Sequence, residues 1–272
     1  MHISKIYQAA ELAPGVEVNL DKAAVNHVVN VLRLKIGDPL ILFNGKGGEY
    51  SAEIIQVKRR EVKVQINQFN NINRESNLKI HLAQGVSLGE KMDFILQKVT
   101  ELGVVEITPI ITARCNVKLS KDRWNKKISR WQKIIISACE QCGRNILPKL
   151  NQAITFADFV AQNKAETKII LDPNGLLSCR DLPVLRPSLL TGGIAASRKS
   201  EKLVLDPAIK PRDNGICDIS ILIGPEGGFT TEEIKLAGQY NFLGIKLGTR
   251  ILRTETAGVA ITSILQARYG DF

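Results

Sequence analysis

Two glycine-bearing loops near the carboxyl end of the chain carry side chains suited to proton transfer or charge stabilisation. The first stretch, 219–234, contains Glu226, and the second, 247–258, contains Arg253 and Glu255. In both, an apolar run, a turn and a helical pattern follow one another, which predicts a strand, a loop and a helix. Open α/β sheets bind ligands at the carboxyl ends of parallel strands, because glycine backbone there can approach a ligand closely. The two stretches therefore predict a ligand site.

The boundaries of the first loop follow from two local signals. The apolar run Ile219–Ile223 fits a buried strand, and Pro225 prevents a central strand from continuing. Thr230 precedes Glu233 by three residues, a capping-box spacing that satisfies free amides at a helix start. The sequence thus predicts a helix that runs to about Tyr240.

Strand and helix patterns alternate from residue 78 onward, which predicts an α/β domain. The predicted elements are strands over 79–86, 106–111, 168–171 and 242–247, helices over 89–102 and from near 120 to about 142, and a closing helix that includes Ala257. In the long helix, Trp124, Trp131 and Ile135 recur at helical spacing, so we expect them to face the core or a subunit interface. Some forty-five residues separate the strand at 168–171 from Ile219, which predicts an insertion or lid.

Residues 1–73 read as a smaller, β-rich region. Near-alternating apolar residues predict strands over 38–43, 49–57 and 61–66, and Asn44-Gly45 indicates a hairpin. A short helix is predicted over 23–33, and on it the side chains of His27, Asn30 and Arg33 share one outer face. That face is either simply solvated or a contact surface for RNA phosphates and bases.

Charge points to a polyanionic partner. The chain has 37 Lys and Arg residues against 27 Asp and Glu residues, a net charge of +10 and an isoelectric point near 9.4. Ten basic and two acidic residues lie between Arg114 and Lys149, so this segment alone carries +8. Such a concentration of one sign favours a polyanionic partner, either nucleic acid or, less specifically, an acidic membrane surface, and charge alone does not choose between the two.

The remaining composition indicates an ordinary cytoplasmic protein. Hydrophobic residues make up 44% of the 272 residues, no apolar run approaches membrane-span length, and the first residues lack a secretory pattern. The five cysteines form no disulfide framework, as expected for reduced thiols. Cys139 and Cys142 form a CxxC pair, but no second pair accompanies it, so we interpret them as two thiols near a helix end and expect no metal site.

Several long motifs resemble one family. They are Leu222-Ile-Gly-Pro-Glu-Gly-Gly-Phe229, Leu247-Gly-Thr-Arg-Ile-Leu-Arg-Thr-Glu-Thr256, Gly89-Glu-Lys-Met92, Lys98-Val-Thr-Glu-Leu-Gly103 and Cys139-Glu-Gln-Cys-Gly-Arg144. Together they resemble the ribosomal RNA small-subunit methyltransferase E family across nearly the whole chain. The main departure is a longer segment from about 188 to 215.

The resemblance implies a PUA-like RNA-binding β-barrel domain over 1–73 and a SPOUT methyltransferase domain, of class α/β, over 74–272. In that family the carboxyl-terminal part is threaded as a trefoil knot, which periodicity alone does not indicate and general topology disfavours. It further implies S-adenosylmethionine as the methyl donor, uridine N3 of 16S ribosomal RNA in the small subunit as the acceptor, no metal, and a homodimer.

These implications assign roles to the loop residues. Cofactor binding falls to Leu171, Ile223, Gly224, Pro225, Gly227, Gly228, Leu247, Gly248, Ile251, Leu252, Thr256 and Ala257. By spacing alone, each glycine also fits a simple turn and each leucine a core position. Methyl transfer to N3 requires loss of its proton, so Glu226 or Glu255 is a candidate base and Arg253 a stabiliser of developing negative charge. Either glutamate is alternatively a helix-start carboxylate. Arg144 is a further candidate for RNA or cross-subunit contact.

Two other functions fit parts of the pattern. A noncatalytic RNA-binding or ribosome-assembly factor would keep the fold without turnover. A nucleotide-cofactor oxidoreductase would use the same α/β sheet, but no complete G-x-G-x-x-G follows a predicted strand, and the glycines at 45–48 lie in the hairpin.

Overall fold

A computed structural model of the protein describes residues 3–115, 120–182 and 217–272. The described residues form two compact units. The first contains those of 1–75, 93–105 and 119–150, and the second those of 76–92, 106–118 and 151–272. The domain boundary after residue 73 stays a prediction, and the predicted insertion around 188–215 lies outside the described residues.

The regular elements alternate as an α/β chain after an initial β-rich part. The strands are β1 Lys5–Tyr7, β2 Glu17–Asn19, β3 Pro39–Phe43, β4 Glu49–Lys58, β5 Glu61–Asn70, β6 Leu78–Gly85, β7 Glu106–Ile111, β8 Lys149–Leu150, β9 Ile154–Thr155, β10 Thr167–Leu171, β11 Leu177–Ser178, β12 Cys217–Ile223 and β13 Leu243–Lys246. The helices are α1 Lys22–Asn26, α2 Glu90–Glu101, α3 Lys121–Cys142, α4 Phe156–Gln162, α5 Thr231–Gln239 and α6 Thr254–Tyr269, with a π-helical turn at His27–Val31 and a 3-10 turn at Cys179–Asp181.

The first unit is built on a five-stranded sheet in the order β1-β3-β4-β5-β2. β3, β4 and β5 pair antiparallel as a meander, and side chains such as Leu42, Ile54 and Val64 are fully buried beneath it. The three predicted strands and the hairpin after β3 are confirmed. The two outer strands, β1 and β2, have three residues each, which is too short for a period-2 pattern to stand out.

The helix predicted over 23–33 is shorter and less regular than expected. Asp21 caps α1 by accepting hydrogen bonds from the amides of Ala23 and Ala24, and α1 ends at Asn26. The next five residues form the π-helical turn. Because a π turn holds more residues than an α turn, it changes which side chains share a face.

Helix α3 follows its prediction closely. It begins after the N-cap Ser120 and ends at Gly143, whose φ of 85° is the left-handed C-cap conformation that glycine adopts readily. Trp131 and Ile135 are buried, which confirms them as core residues, and the Trp124 ring lies 6.4 Å from that of Trp131.

The second unit contains a parallel sheet in the order β11-β13-β10-β12-β6-β7, with β9 paired to β7. Its central strands, β12 and β6, pair over seven residues each, from Cys217 to Ile223 and from Leu78 to Gln84. The predicted α/β class and parallel strands are confirmed. The sequence analysis missed β8, β9, β11 and α4, which are all seven residues or shorter.

The capping box at the start of α5 is present as predicted. Thr230 Oγ1 accepts a hydrogen bond from the Glu233 amide, and Glu233 Oε2 accepts one from the Thr230 amide at 2.9 Å. Glu233 Oε1 also accepts one from the Ala113 amide at 2.8 Å. One side chain therefore fixes both the helix start and a neighbouring loop.

Replacing Thr230 by alanine is expected to lower the free energy of unfolding by about 1 kcal/mol, because an N-cap acceptor is lost. Urea denaturation followed by circular dichroism measures this difference. The matched control is Thr256→Ala, which removes an exposed hydroxyl within α6. An equal loss in both variants would contradict the capping role.

In the described part of the chain, no helix combines the length and apolar character that a membrane span requires, and no group of three or more His, Cys, Asp and Glu side chains is placed to hold a metal ion. Burial raises the pKa of Cys139 to about 12 and also raises the pKa of Cys142. Both side chains are therefore protonated thiols at neutral pH.

Candidate active site

A cavity of about 840 Å³ opens at the carboxyl ends of β10, β12 and β13 in the second unit. Its walls come mainly from the three segments that follow these strands, 171–174, 223–229 and 245–255. Ala257, Thr231, Ile234, Lys91 and Arg114 complete the lining. The volume falls in the range of small-molecule sites. The two loops singled out from the sequence therefore meet at one site.

Most of the predicted site residues line this cavity. They are Leu171, Ile223, Gly224, Pro225, Gly227, Gly228, Leu247, Gly248, Ile251, Leu252 and Ala257 for cofactor binding, and Glu226, Arg253 and Glu255 for catalysis. The exception is Thr256, whose side chain is exposed. Thr256 is therefore not part of the cavity lining formed by the described residues.

Glu226 is held in place by its neighbours. Its Oε1 accepts a hydrogen bond from the Leu88 amide at 3.1 Å and lies 3.2 Å from Lys91 Nζ. Burial alone would raise the pKa of Glu226, but hydrogen bonds from its own amide and that of Leu88, and the Lys91 ammonium, outweigh it and lower the pKa. Glu226 is thus an ionised carboxylate whose oxygen is already engaged.

Arg114 is a functional candidate that the sequence analysis counted only as charge. Its Nη1 donates a hydrogen bond to the Gly227 carbonyl at 2.8 Å, so it fixes the loop after β12. A Cβ on Gly227 would lie 3.1 Å from Arg114 Cβ. Lys91 was likewise quoted only within a motif. Lys91 and Arg114 both contact the loop after β12. A local sequence pattern cannot predict this, because the two residues lie far from the loop in sequence.

Buried polar contacts also support the floor of the site. Gln84 Nε2 donates to Thr254 Oγ1 at 2.9 Å, and Thr254 Oγ1 donates to the Gly224 carbonyl at 2.6 Å. Gln84 and Thr254 are both buried. This chain of hydrogen bonds connects β6, the loop after β12 and the first residue of α6.

Glu255 differs from Glu226 in one respect that bears on chemistry. Its Oε2 is buried and has no hydrogen-bond partner among the described residues. It lies in the first turn of α6, where Arg253 is the N-cap residue and provides no side-chain cap. A buried carboxylate oxygen without a donor is costly unless a ligand supplies one. Glu255 is therefore a carboxylate of the cavity lining with one oxygen that has no donor among the described residues.

Close backbone packing shapes the cavity floor at Gly85, the last residue of β6. A Cβ there would lie 2.5 Å from the backbone nitrogen of Pro225 and 2.6 Å from its Cδ. These atoms belong to a ring and a backbone that cannot rotate away. Any larger residue must displace the loop after β12.

Replacing Gly85 by alanine is expected to weaken ligand binding in the cavity about tenfold or more, because overpacking of this kind costs on the order of 1–3 kcal/mol. Isothermal titration calorimetry with S-adenosylmethionine measures the affinity.

Gly238→Ala in α5 is the matched control, since a Cβ there meets nothing within 4 Å. We expect the Gly238 variant to bind as the unchanged protein does. Equal affinities for both variants would contradict the packing argument.

The predicted RNA-binding residues of the first unit are only partly accessible. Asn30 and Arg33 are exposed, and Asn30 Nδ2 donates to Asn26 Oδ1 at 2.8 Å. His27 is half-buried, with its Nδ1 3.5 Å from Glu140 Oε2. Asn30 and Arg33 are therefore accessible, although Arg33, with a φ of 56°, lies beyond the helical turn, and His27 contacts Glu140 of α3.

Arg144 does not fit the predicted RNA contact. Its side chain is buried, with 4% of the residue's surface exposed, and it pairs with Glu75. Its Nη1 also donates to the carbonyls of Thr100 and Val104 at 2.9 and 2.8 Å. The guanidinium is occupied within the first unit, so we correct its role to a structural one.

Comparison with known proteins finds similarity over nearly the whole chain. A family model described as an RNA methyltransferase domain matches residues 74–266, and one described as an RNA methyltransferase PUA domain matches 20–67. Two relatives are both called ribosomal RNA small subunit methyltransferase E. The one from Buchnera aphidicola subsp. Schizaphis graminum is 34% identical over 99% of this chain and 98% of its own, and the one from Bacillus subtilis is 30% identical over 92% and 89%.

Two solved structures resemble the whole chain. A methyltransferase from Legionella pneumophila, solved with bound S-adenosylmethionine, shares 43% identity with a TM-score of 0.86, and each chain is covered completely. A ribosomal RNA small subunit methyltransferase E from Neisseria gonorrhoeae, also bound to S-adenosylmethionine, shares 33% identity with a TM-score of 0.83 over both full chains.

Proposed function

Because the chain belongs to the ribosomal RNA small subunit methyltransferase E family, we propose that it methylates uridine N3 in 16S ribosomal RNA, using S-adenosylmethionine. The observation that carries the proposal is the cavity at the ends of β10, β12 and β13. It brings loop backbone and a buried carboxylate oxygen, which has no partner among the described residues, into one site.

The residues present fit the proposed cofactor. S-adenosylmethionine has an adenine edge, a ribose and a charged sulfonium but no phosphates, so backbone groups and apolar walls can hold it. Leu171, Ile223, Leu247, Leu252 and Ala257 supply apolar surface. The loop backbone at 224–228 and 248–252 supplies hydrogen-bonding groups. When bound, the cofactor provides the electrophilic methyl group.

Two side chains carry the chemistry in this proposal. Glu255 accepts the N3 proton of the uracil, which leaves the nitrogen lone pair free to form the new bond to carbon. Arg253 is exposed at the N-cap of α6 and stabilises negative charge that develops on the uracil oxygens. Glu226, engaged by Leu88 and Lys91, positions the loop instead.

Other parts of the molecule serve the RNA in this proposal. Asn30, Arg33 and, more weakly, His27 contact the substrate from the first unit. The homodimer, the trefoil knot, the boundary after residue 73 and a cytoplasmic location are part of the same proposal. The family membership supports them.

The deciding experiment supplies small ribosomal subunits that lack the modification, together with S-adenosylmethionine labelled in its methyl group. The RNA is then digested to nucleosides. Label in N3-methyluridine is the expected result. Label in another nucleoside would reject the acceptor atom, and cofactor and RNA binding without label would favour a noncatalytic assembly factor.

A further inference from the structure

Helix α3 carries a basic face that the proposed reaction does not use. Arg123, Lys126, Arg130 and Lys133 recur at intervals of three or four residues, so they lie along one side of the helix. All four are exposed. We call these four residues the α3 basic face. At a rise of 1.5 Å per residue, they span about 15 Å.

The opposite side of α3 explains why these cations point outward. Trp131, Ile135 and Ala138 are buried in the first unit and fix the rotation of the helix about its axis. The helix is also capped at its carboxyl end by Gly143. The α3 basic face is therefore presented by a rigid element.

A shallow, open surface region of about 550 Å³, here called the groove, lies along this face, and all the described residues that line it belong to α3. It is lined by Asn125, Lys126, Ser129, Arg130, Lys133, Ile134 and Ser137. Its lining combines cations with hydroxyl and amide groups, which is the set of donors that contact phosphate oxygens in nucleic-acid complexes. No acidic side chain is part of the lining.

Nearby acidic residues neutralise this face only in part. Asp93 pairs with Arg130, whose side chain nevertheless remains largely exposed. Asp122 lies one turn before Lys126, but no ion pair joins these two described residues. Over the length of α3, six basic residues and two acidic ones leave a net charge of +4.

We propose that the α3 basic face is a docking surface for the phosphate backbone of the substrate RNA. The proposal rests on the function proposed above and adds a surface to it. Two copies of the chain meeting through this face would bring the same cations against each other, so a dimer contact here is disfavoured. A lipid surface is also disfavoured, because Ile134 is the only apolar residue in the groove lining, and membrane-surface helices need a broader apolar face. Contacts to phosphate set affinity and register without reading base sequence.

The test compares two double variants with the same change in net charge. Lys126→Gln with Lys133→Gln removes two cations from the α3 basic face. Lys164→Gln with Lys235→Gln removes two exposed lysines from the second unit. Glutamine preserves helix propensity nearly as well as lysine, so α3 should remain folded, and thermal melting checks this.

The affinity for 16S ribosomal RNA is measured for each variant by filter binding over a range of KCl concentrations. The α3 variant is expected to bind about tenfold more weakly near physiological salt. Its slope of log affinity against log salt should be shallower by about 1.4, as for two lost contacts to single-stranded phosphates. We expect the KM of this variant for RNA to rise. Its kcat and its affinity for S-adenosylmethionine should stay unchanged.

The outcomes separate this surface from the reaction. The α3 proposal would be overturned if neither double variant lost RNA affinity or changed the salt slope. It would also be overturned if both variants lost the same affinity, because that result would indicate an effect of net charge alone. The proposal would also be overturned if the α3 basic face bound an acidic protein of the ribosomal subunit while the α3 variant kept its full affinity for protein-free RNA. If the unchanged protein binds RNA but transfers no methyl group, the proposed reaction fails while the binding comparison still decides the surface.

Discussion

Replacing Glu255 by glutamine is expected to lower kcat by about three orders of magnitude, within the range that general-base catalysis supplies. The glutamine side chain has nearly the same volume but cannot accept the N3 proton. Because its shape is preserved, the affinity for S-adenosylmethionine should change by less than about twofold. Single-turnover methyl transfer and calorimetry measure the two quantities separately.

A base has a second signature beyond the loss of rate. In the Glu255→Gln variant, solvent hydroxide must remove the proton, so the residual rate should increase with pH up to the ionisation of the substrate. A variant that is merely misfolded would show no such recovery. A residual rate that is independent of pH would therefore assign Glu255 a structural role.

Glu226→Gln is the matched comparison, since it makes the same chemical change in the same cavity. It weakens the contacts to Leu88 and Lys91, so we expect weaker cofactor binding and a much smaller loss of kcat. If Glu226→Gln instead produced the larger loss of kcat, the two carboxylates would exchange roles.

The sequence could predict the elements around the site because their signals are local. Four of the five residues in Ile219–Ile223 are apolar, and the spacing of Thr230 and Glu233 marks the helix start within a few residues. The observed strand Cys217–Ile223 and the capping box agree with both. That two such loops share one sheet edge follows from parallel topology.

Contacts between distant residues could not be predicted in the same way. The position of Arg144 beside the basic helix α3 suggests a contact to RNA or another subunit, yet the side chain lies buried against Glu75, 69 residues earlier in the chain. Arg114 holds the loop at Gly227, 113 residues later. Spacing within one element contains no information about such pairs.

The choice between the two candidate carboxylates shows the same limit. From sequence, Glu226 and Glu255 were equivalent, because each follows a glycine-bearing turn. Burial and hydrogen-bond partners separate them: Glu226 is engaged by Lys91, whereas Glu255 Oε2 is buried without a partner among the described residues. Whether a carboxylate has a hydrogen-bond or ion-pair partner depends on how the loop folds, so the sequence motif does not reveal it.

Replacing Arg253 by alanine is expected to lower kcat by about 10²–10³-fold, the usual loss when one stabiliser of developing charge is removed. Its side chain is exposed at the mouth of the cavity, and it does not cap α6. We therefore expect little change in the affinity for S-adenosylmethionine or in thermal stability. Single-turnover rates with saturating RNA measure the chemical step, and Lys235→Ala, on exposed α5 surface, is the control for lost charge.

Arg253→Lys refines this prediction, since lysine keeps the charge but not the planar, two-pronged geometry of a guanidinium. A stabiliser that acts by charge alone should recover most of the rate in the lysine variant, whereas one that must contact an oxygen from a fixed direction should recover little. Arg253→Ala could instead weaken the affinity for S-adenosylmethionine and kcat/KM by the same factor. Arg253 would then stabilise the bound ground state and the transition state equally. Arg253 would then belong with the cofactor-binding residues, and Glu255 would remain the single side chain in this cavity with a role specific to the transition state.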